Sequence, residues 1–286
     1  MMEPPATAYR SHSAGRDSAG LGAARRWPEL GCVAASAVLC LLTLTACASH
    51  PPPPDWQMNA KLAAERALTA YLSGDARIEA QELQRARSEI ARTGRADLLA
   101  RIELAHCAAR VASLVFQPCA AFEALRADAP APERAYADYL AARVQVQDIG
   151  LLPEAQRSVA AGVATAPGDA ANGARNVAAN VSAIVAANGT ANVAANGAAL
   201  GAIADPLSRL VAAGVLFEAN RADPQVIGIA IDTASSQGWR RPLLAWLGLQ
   251  LKRVELAGAG AGAGASDEAQ RLRRRIEIVH GGGAGR

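Results

Sequence analysis

Apolar and polar positions alternate along this chain with helical spacing almost throughout. Ala60, Ala63, Ala67 and Tyr71 recur every three or four residues, and so do Leu98, Ile102, Ala105, Ala109 and Ala112. Capping and breaking residues divide the pattern. Asp55 is placed to cap a helix over 56–72, Gly74 follows its end, Asp75 caps a second helix reaching about Arg92, and Thr93-Gly94 separates that from a third. Gln117-Pro118 opens a short fourth helix through Phe122 and Leu125, and Pro130 and Pro132 precede a fifth. Further on, Asp205-Pro206 starts a helix through Leu216, another spans 224–235, and Pro242 opens one carrying Leu243, Leu244, Trp246, Leu247, Leu249, Leu251 and Val254. The expected fold class is all-α, built from helical hairpins.

Composition sharpens this picture. Apolar residues make up 51% of the chain but aromatics only 4%, so the core must be built from small and aliphatic side chains, which favours close helix packing over a β-sandwich. Trp239 and Trp246 are expected in that core. Glu79, Glu82, Arg85, Arg87 and Glu89 read as exposed pairs one helical turn apart, and Arg271, Arg273, Arg274 and Arg275 as a solvated helix face. Net charge is +3; removing residues 1–46 takes away four Arg and three acids and leaves 25 basic and 23 acidic groups. That balance excludes a nucleic-acid footprint.

The N-terminus carries the most specific signal. Polar residues end in Arg25 and Arg26, and Leu30 to Ala46 is a 17-residue run without a charge. This is the charged region and apolar region of a secretory signal, short of the roughly 20 apolar residues a membrane span needs. The run closes on Leu44-Thr45-Ala46-Cys47, which resembles the lipobox of bacterial lipoproteins: aliphatic, small, small, Cys. The resemblance implies cleavage before Cys47, a diacylglycerol on its thiol and a further acyl chain, palmitate-like, on the new amino terminus. Each buried CH₂ contributes about 0.8 kcal/mol, so several chains anchor where one is marginal. Ala48, rather than Asp, follows the Cys, which by the same resemblance implies the periplasmic face of the outer membrane; the inner membrane is the alternative. Pro51 to Pro54 then form a stiff extended spacer.

The expected organisation is therefore a signal peptide over 1–46, an anchor and spacer over 47–55, the N-terminal half of a helical domain over 56–169, an insert over 170–204, the C-terminal half over 205–279 and a tail over 280–286. The insert repeats Asn176-Val177-Ala178-Ala179-Asn180 as Asn192-Val193-Ala194-Ala195-Asn196 and lacks large side chains to offset the entropy of ordering. Gly258 to Ala265 is an alternating Gly-Ala linker between two helices. Within the N-terminal half, the 34-residue window Tyr136 to Asp169 resembles a tetratricopeptide unit, with Gly150 at the turn, Glu154-Ala155 starting the second helix and Pro167 closing it. Gly162 stands where that family has its packing alanine, and Ala142-Arg143 where it has Leu-Gly. The resemblance implies stacked hairpins with a concave, partner-binding surface.

Cys107 and Cys119 are the cysteines of the mature domain apart from Cys47, and an oxidising periplasm makes them disulfide candidates. If the third helix reaches Val115, Cys107 lies about 12 Å from its end, so 116–118 must fold back to close the bridge. Chemistry-bearing motifs are absent: no G-x-S-x-G, H-E-x-x-H, P-loop or C-x-x-C occurs, and His50, His106 and His280 stand in unrelated contexts. His106 adjoins Cys107 without a visible orienting group for catalysis. No catalytic residue, cofactor, metal, nucleic acid or small-molecule ligand is expected. The expectation is a membrane-anchored, non-enzymatic helical module that binds an envelope protein. The alternatives are an envelope enzyme acting on cell-wall substrate and a single-span protein of the inner membrane.

Overall fold

The computed structural model describes residues 52–164, 190–258 and 263–281, with the side chains of 190–194 and 263–265 left aside. Cys47 and the signal region lie outside the described residues. Among those described, every regular element is helical: α1 (Asp55–Ser73), α2 (Ala76–Ala91), α3 (Ala96–Ala112), α4 (Ala120–Glu123), α5 (Ala131–Leu140), a 3₁₀ segment (Val146–Leu151), α6 (Glu154–Val163), α7 (Thr190–Gly201), α8 (Pro206–Glu218), α9 (Pro224–Ser236), α10 (Arg240–Gly258) and α11 (Ala263–Gly281). The fold is all-α and organised in hairpins.

The first hairpin follows the sequence pattern closely. Ala60, Ala63, Ala67 and Ala70 form a buried seam of small side chains, which lets α2 approach and set Leu83, Ala86 and Ile90 against α1. Gly74 turns the chain at φ 87°, while Gly74 N donates to Tyr71 O and Asp75 N to Ala70 O. The Asp75 carboxylate then accepts from Ile78 N at 3.0 Å. Asp55 is not the cap. Extended Pro54 holds that position, and Asp55 enters the first turn, where its charge meets the positive helix end.

In α3 the expected stripe is buried at Ala109 and Ala112, while its N-terminal part lies at the edge of the core. The buried seam runs through Ala100, Leu104, Cys107, Ala108 and Val111. Leu98 and Ile102 are half-buried and Ala105 is exposed, because that side of α3 faces the sparse contact with α1 and α2. The opposite side packs on α8, whose residues Leu210 to Phe217 are buried without interruption. Here Gly214 sits against the Val111 backbone carbonyl, and any Cβ at that position would collide with it.

The main core gathers α3, α5, α6, α8, α9 and α10, with Trp246 at its centre. Trp246 is fully buried, donates its indole N–H to Ala112 O at 3.0 Å and meets the Phe217 ring edge-on with centroids 6.3 Å apart. Trp239 is half-buried against the same core. Asp205 and Asp223 cap α8 and α9 through Ser208 N and through Gln225 N and Val226 N. In the window from Tyr136, α5 ends at Leu140, Gly150 falls inside the 3₁₀ segment and Glu154 starts α6; Pro167 and Asp169 lie outside the described residues.

The low-complexity stretch is helical at its C-terminal end. Residues 190–201 form α7, and Leu200 and Ile203 enter the main core because they are the large apolar side chains of that stretch nearest α8. Asn196 donates from Nδ2 to Arg221 O at 3.1 Å, seating the helix on the α8–α9 turn. The repeat at 176–180 lies outside the described residues. The Gly-Ala run joins α10 to α11 as an inter-helix connection whose ends extend both helices, residues 259–262 being outside the described ones.

Candidate functional site

Three places bear on function: an apolar groove, a polar joint and a disulfide. The groove, about 500 Å³, runs between α1, α3, α5 and α8. Its walls are Leu68, Leu104, Ala105, Ala108, Pro132, Tyr136 and the Leu151-Leu152-Pro153 corner, with Leu207 and Val211 from α8. At its rim Arg101 donates from Nε and Nη2 to Glu133 Oε1 at 2.9 and 2.5 Å, so the two charges satisfy each other. Beneath it Tyr139 donates to Gln156 Oε1 at 2.7 Å, and Gln156 Nε2 to Ser208 O at 3.0 Å, a buried relay that fixes α5, α6 and α8. Burial pushes the Tyr136 phenol above its ordinary pKa, reinforced by the Asp205 charge; burial does the same to Tyr139 more strongly. Both are neutral hydroxyls at physiological pH. The groove is therefore a surface for apolar burial with a few fixed polar points.

A second apolar pocket of about 180 Å³ lies under α1, lined by Ala64, Ala67, Leu68, Leu83, Ile102, Ala105 and His106. Leu68 and Ala105 line both cavities.

The polar joint links α1 and α2 to α3 and α10. Glu79 contacts His106 Nε2 at 2.8 Å through Oε1 and Arg241 Nη2 at 3.4 Å through Oε2. Arg241 stacks over the Tyr71 ring, 4.2 Å from its centroid, and His106 meets that ring edge-on at 5.4 Å. Nearby, Arg87 grips Glu103 with two hydrogen bonds of 2.5 and 2.7 Å. Burial raises the Tyr71 phenol above its ordinary pKa, opposed by the adjacent Ser113 hydroxyl and the Arg241 and Arg110 charges. Neither hydroxyl completes a hydrogen bond of good geometry, and the buried Nε atoms of Arg240 and Arg241 also lack acceptors. The expectation of ordinary exposed pairs is thus corrected: Glu82 keeps Arg85 as its partner but is buried, and Glu79 and Arg87 pair outside their own helix. Their partners are 27, 162 and 16 residues away in sequence, beyond any helical spacing rule.

Cys107 and Cys119 are joined in a disulfide, with Cα atoms 6.0 Å apart. The helix ends at Ala112, three residues short of Val115, which shortens the span to be closed. Leu114 at φ 59° and the Val115 N to Arg110 O bond turn the chain back, and Cys119 stands at the start of α4. His106 points into the polar joint with Glu79, not into a pair with a free thiol. The arginines of α11 are exposed, Arg271 bonded to Glu268 and Arg273 to Glu255. Among the described residues no His, Cys, Asp and Glu side chains gather in a metal-binding group, and no helix is long and apolar enough to cross a membrane.

No protein-family model, curated protein or solved structure matches this chain.

Proposed function

We propose that this chain is an exported lipoprotein anchored through Cys47, whose helical domain is a non-enzymatic interaction module facing the periplasm from the outer membrane. The observation that carries the reading is the groove between α1, α3, α5 and α8. Its lining is apolar, its Arg101–Glu133 pair is mutually satisfied, and its one tyrosine hydroxyl stays neutral. Such a wall gains free energy by burying apolar side chains, at about 25 cal/mol per Å² removed from water, and its single carboxylate, Glu133, is held by Arg101 rather than paired with a second carboxylate. Among the described residues, the carboxyl groups that depart from ordinary values, Asp97 and Glu123, are held down by Arg95 and Arg126, as ion-paired surface carboxylates are. The lipid would confine the module to the membrane surface and raise its local concentration there.

Loss of radiolabelled palmitate incorporation in Cys47→Ser tests the anchor. For the module, a photo-crosslinking residue at Leu151, on the groove rim, is compared in living cells with one at Ile278, 74% exposed on α11. A discrete adduct near one-to-one from Leu151 alone is expected. Adducts with cell-wall fragments only, or none, overturn the module reading and favour an envelope enzyme.

A further inference from the structure

The hairpin α1–α2 contributes no residue to the main core. Its apolar attachment is a separate cluster of Tyr71, Leu72 and Ala109, helped by Leu68, Leu207 and Trp239. The remainder of its hold is polar: Arg87 on Glu103, Glu79 on His106 and Arg241, and Arg241 over the Tyr71 ring. Ion pairs offset little of their own desolvation, and the buried Tyr71 and Ser113 hydroxyls leave hydrogen-bonding capacity unused at this joint. One covalent connection joins the hairpin to the rest of the described domain, the turn between α2 and α3. There Gly94 adopts φ 66°, and a Cβ built on it would meet nothing within 4 Å. A turn with open space and a permissive glycine can absorb backbone rotation.

We propose that the α1–α2 hairpin is a latched arm: it swings as a unit on the Gly94 turn, parting Leu68 from Ala105 and joining the two apolar cavities they now separate into one. Leu68 belongs to the arm and Ala105 to the fixed helix α3, and together they form the wall that both cavities share. The latch is the Arg87–Glu103 pair with the Glu79–His106–Arg241 contacts, on the side of the arm facing α3 and α10. The arm opens below the free energy of global unfolding, as sub-global units do. This inference concerns the domain alone and holds with or without the lipid.

Hydrogen exchange followed by mass spectrometry on the full chain tests it. Amides of α1 and α2 are expected to exchange together, at least tenfold faster than those of α8 and α9. Arg87→Met is expected to speed exchange in α1 and α2 roughly tenfold further while leaving α8 and α9 unchanged, with Arg87→Lys restoring part of the protection. Maleimide labelling at Leu83→Cys, in the smaller cavity, is expected to accelerate in parallel when Arg87→Met is added. Exchange of α1, α2, α8 and α9 as one cooperative unit, or an Arg87→Met effect spread evenly over the domain, would overturn the arm. So would unchanged labelling at Leu83→Cys.

Discussion

The α1–α2 hairpin and the layer of α8, α9 and α10 are both amphipathic helices, yet the first is joined to the domain largely by charges and the second by Trp246, Phe217 and a continuous aliphatic core. Inside the hairpin the packing is tight, alanine against alanine. The contrast therefore lies between elements, at the joint. Apolar burial is additive and tolerant of geometry, whereas each buried charge must keep its partner or be desolvated for nothing. A domain assembled this way should fail first at the arm.

The largest test of the contrast strikes the core. Trp246→Ala removes the fully buried ring and the Ala112 bond, and is expected to lower global stability by about 3–5 kcal/mol, read as a fall in thermal midpoint that includes the arm. Reducing the Cys107–Cys119 bridge, which closes a separation of 12 residues, is expected to remove about 2–4 kcal/mol from the core, checked by urea unfolding with and without dithiothreitol. Gly214→Ala should weaken the same layer by about 1–3 kcal/mol, because its Cβ would drive α8 off the Val111 carbonyl and outweigh the usual gain of alanine in a helix.

Gly74→Ala should act on the arm alone. Its left-handed φ of 87° makes a side chain strained by about 1–2 kcal/mol, visible as faster exchange in α1 and α2 with the core unaffected. The smallest effect expected is one of pH. Tyr71 titrates above 10 in the fold and at about 10 when unfolded, so the unfolded chain loses its proton first as pH rises. The stability due to keeping Tyr71 neutral is complete below pH 10 and is lost progressively above it. Above about pH 10 the arm should weaken, and Tyr71→Phe should flatten that slope.

Much of the architecture is legible in sequence because local signals are strong: Asp75 and Asp205 cap where small acidic residues precede helical runs, and Gly74 closes a hairpin with a left-handed residue. The seam Ala60, Ala63, Ala67, Tyr71 follows from period alone. The α3 stripe does so only at Ala109 and Ala112, because α3 has neighbours on two sides and periodicity cannot rank them. Glu79, His106 and Arg241 are invisible for a related reason: their contacts bring together three helices far apart in the chain, while each residue taken alone looks like a solvated charge. The groove is equally hidden, since its lining is spread from Leu68 to Val211 and each of those residues reads as ordinary core. Gly214 is also unreadable in advance; the close approach of α8 to Val111 exists only in three dimensions.

The most direct test of the two-part stability is urea unfolding of protein labelled with 5-fluorotryptophan and followed by fluorine NMR. Trp56 reports α1 and Trp246 the core, in one sample and without disturbing either. The Trp56 resonance is expected to shift to its unfolded position at a lower urea concentration than Trp246, as two separable transitions. Coincident midpoints and slopes for both would contradict this expectation and make the arm part of a single cooperative domain.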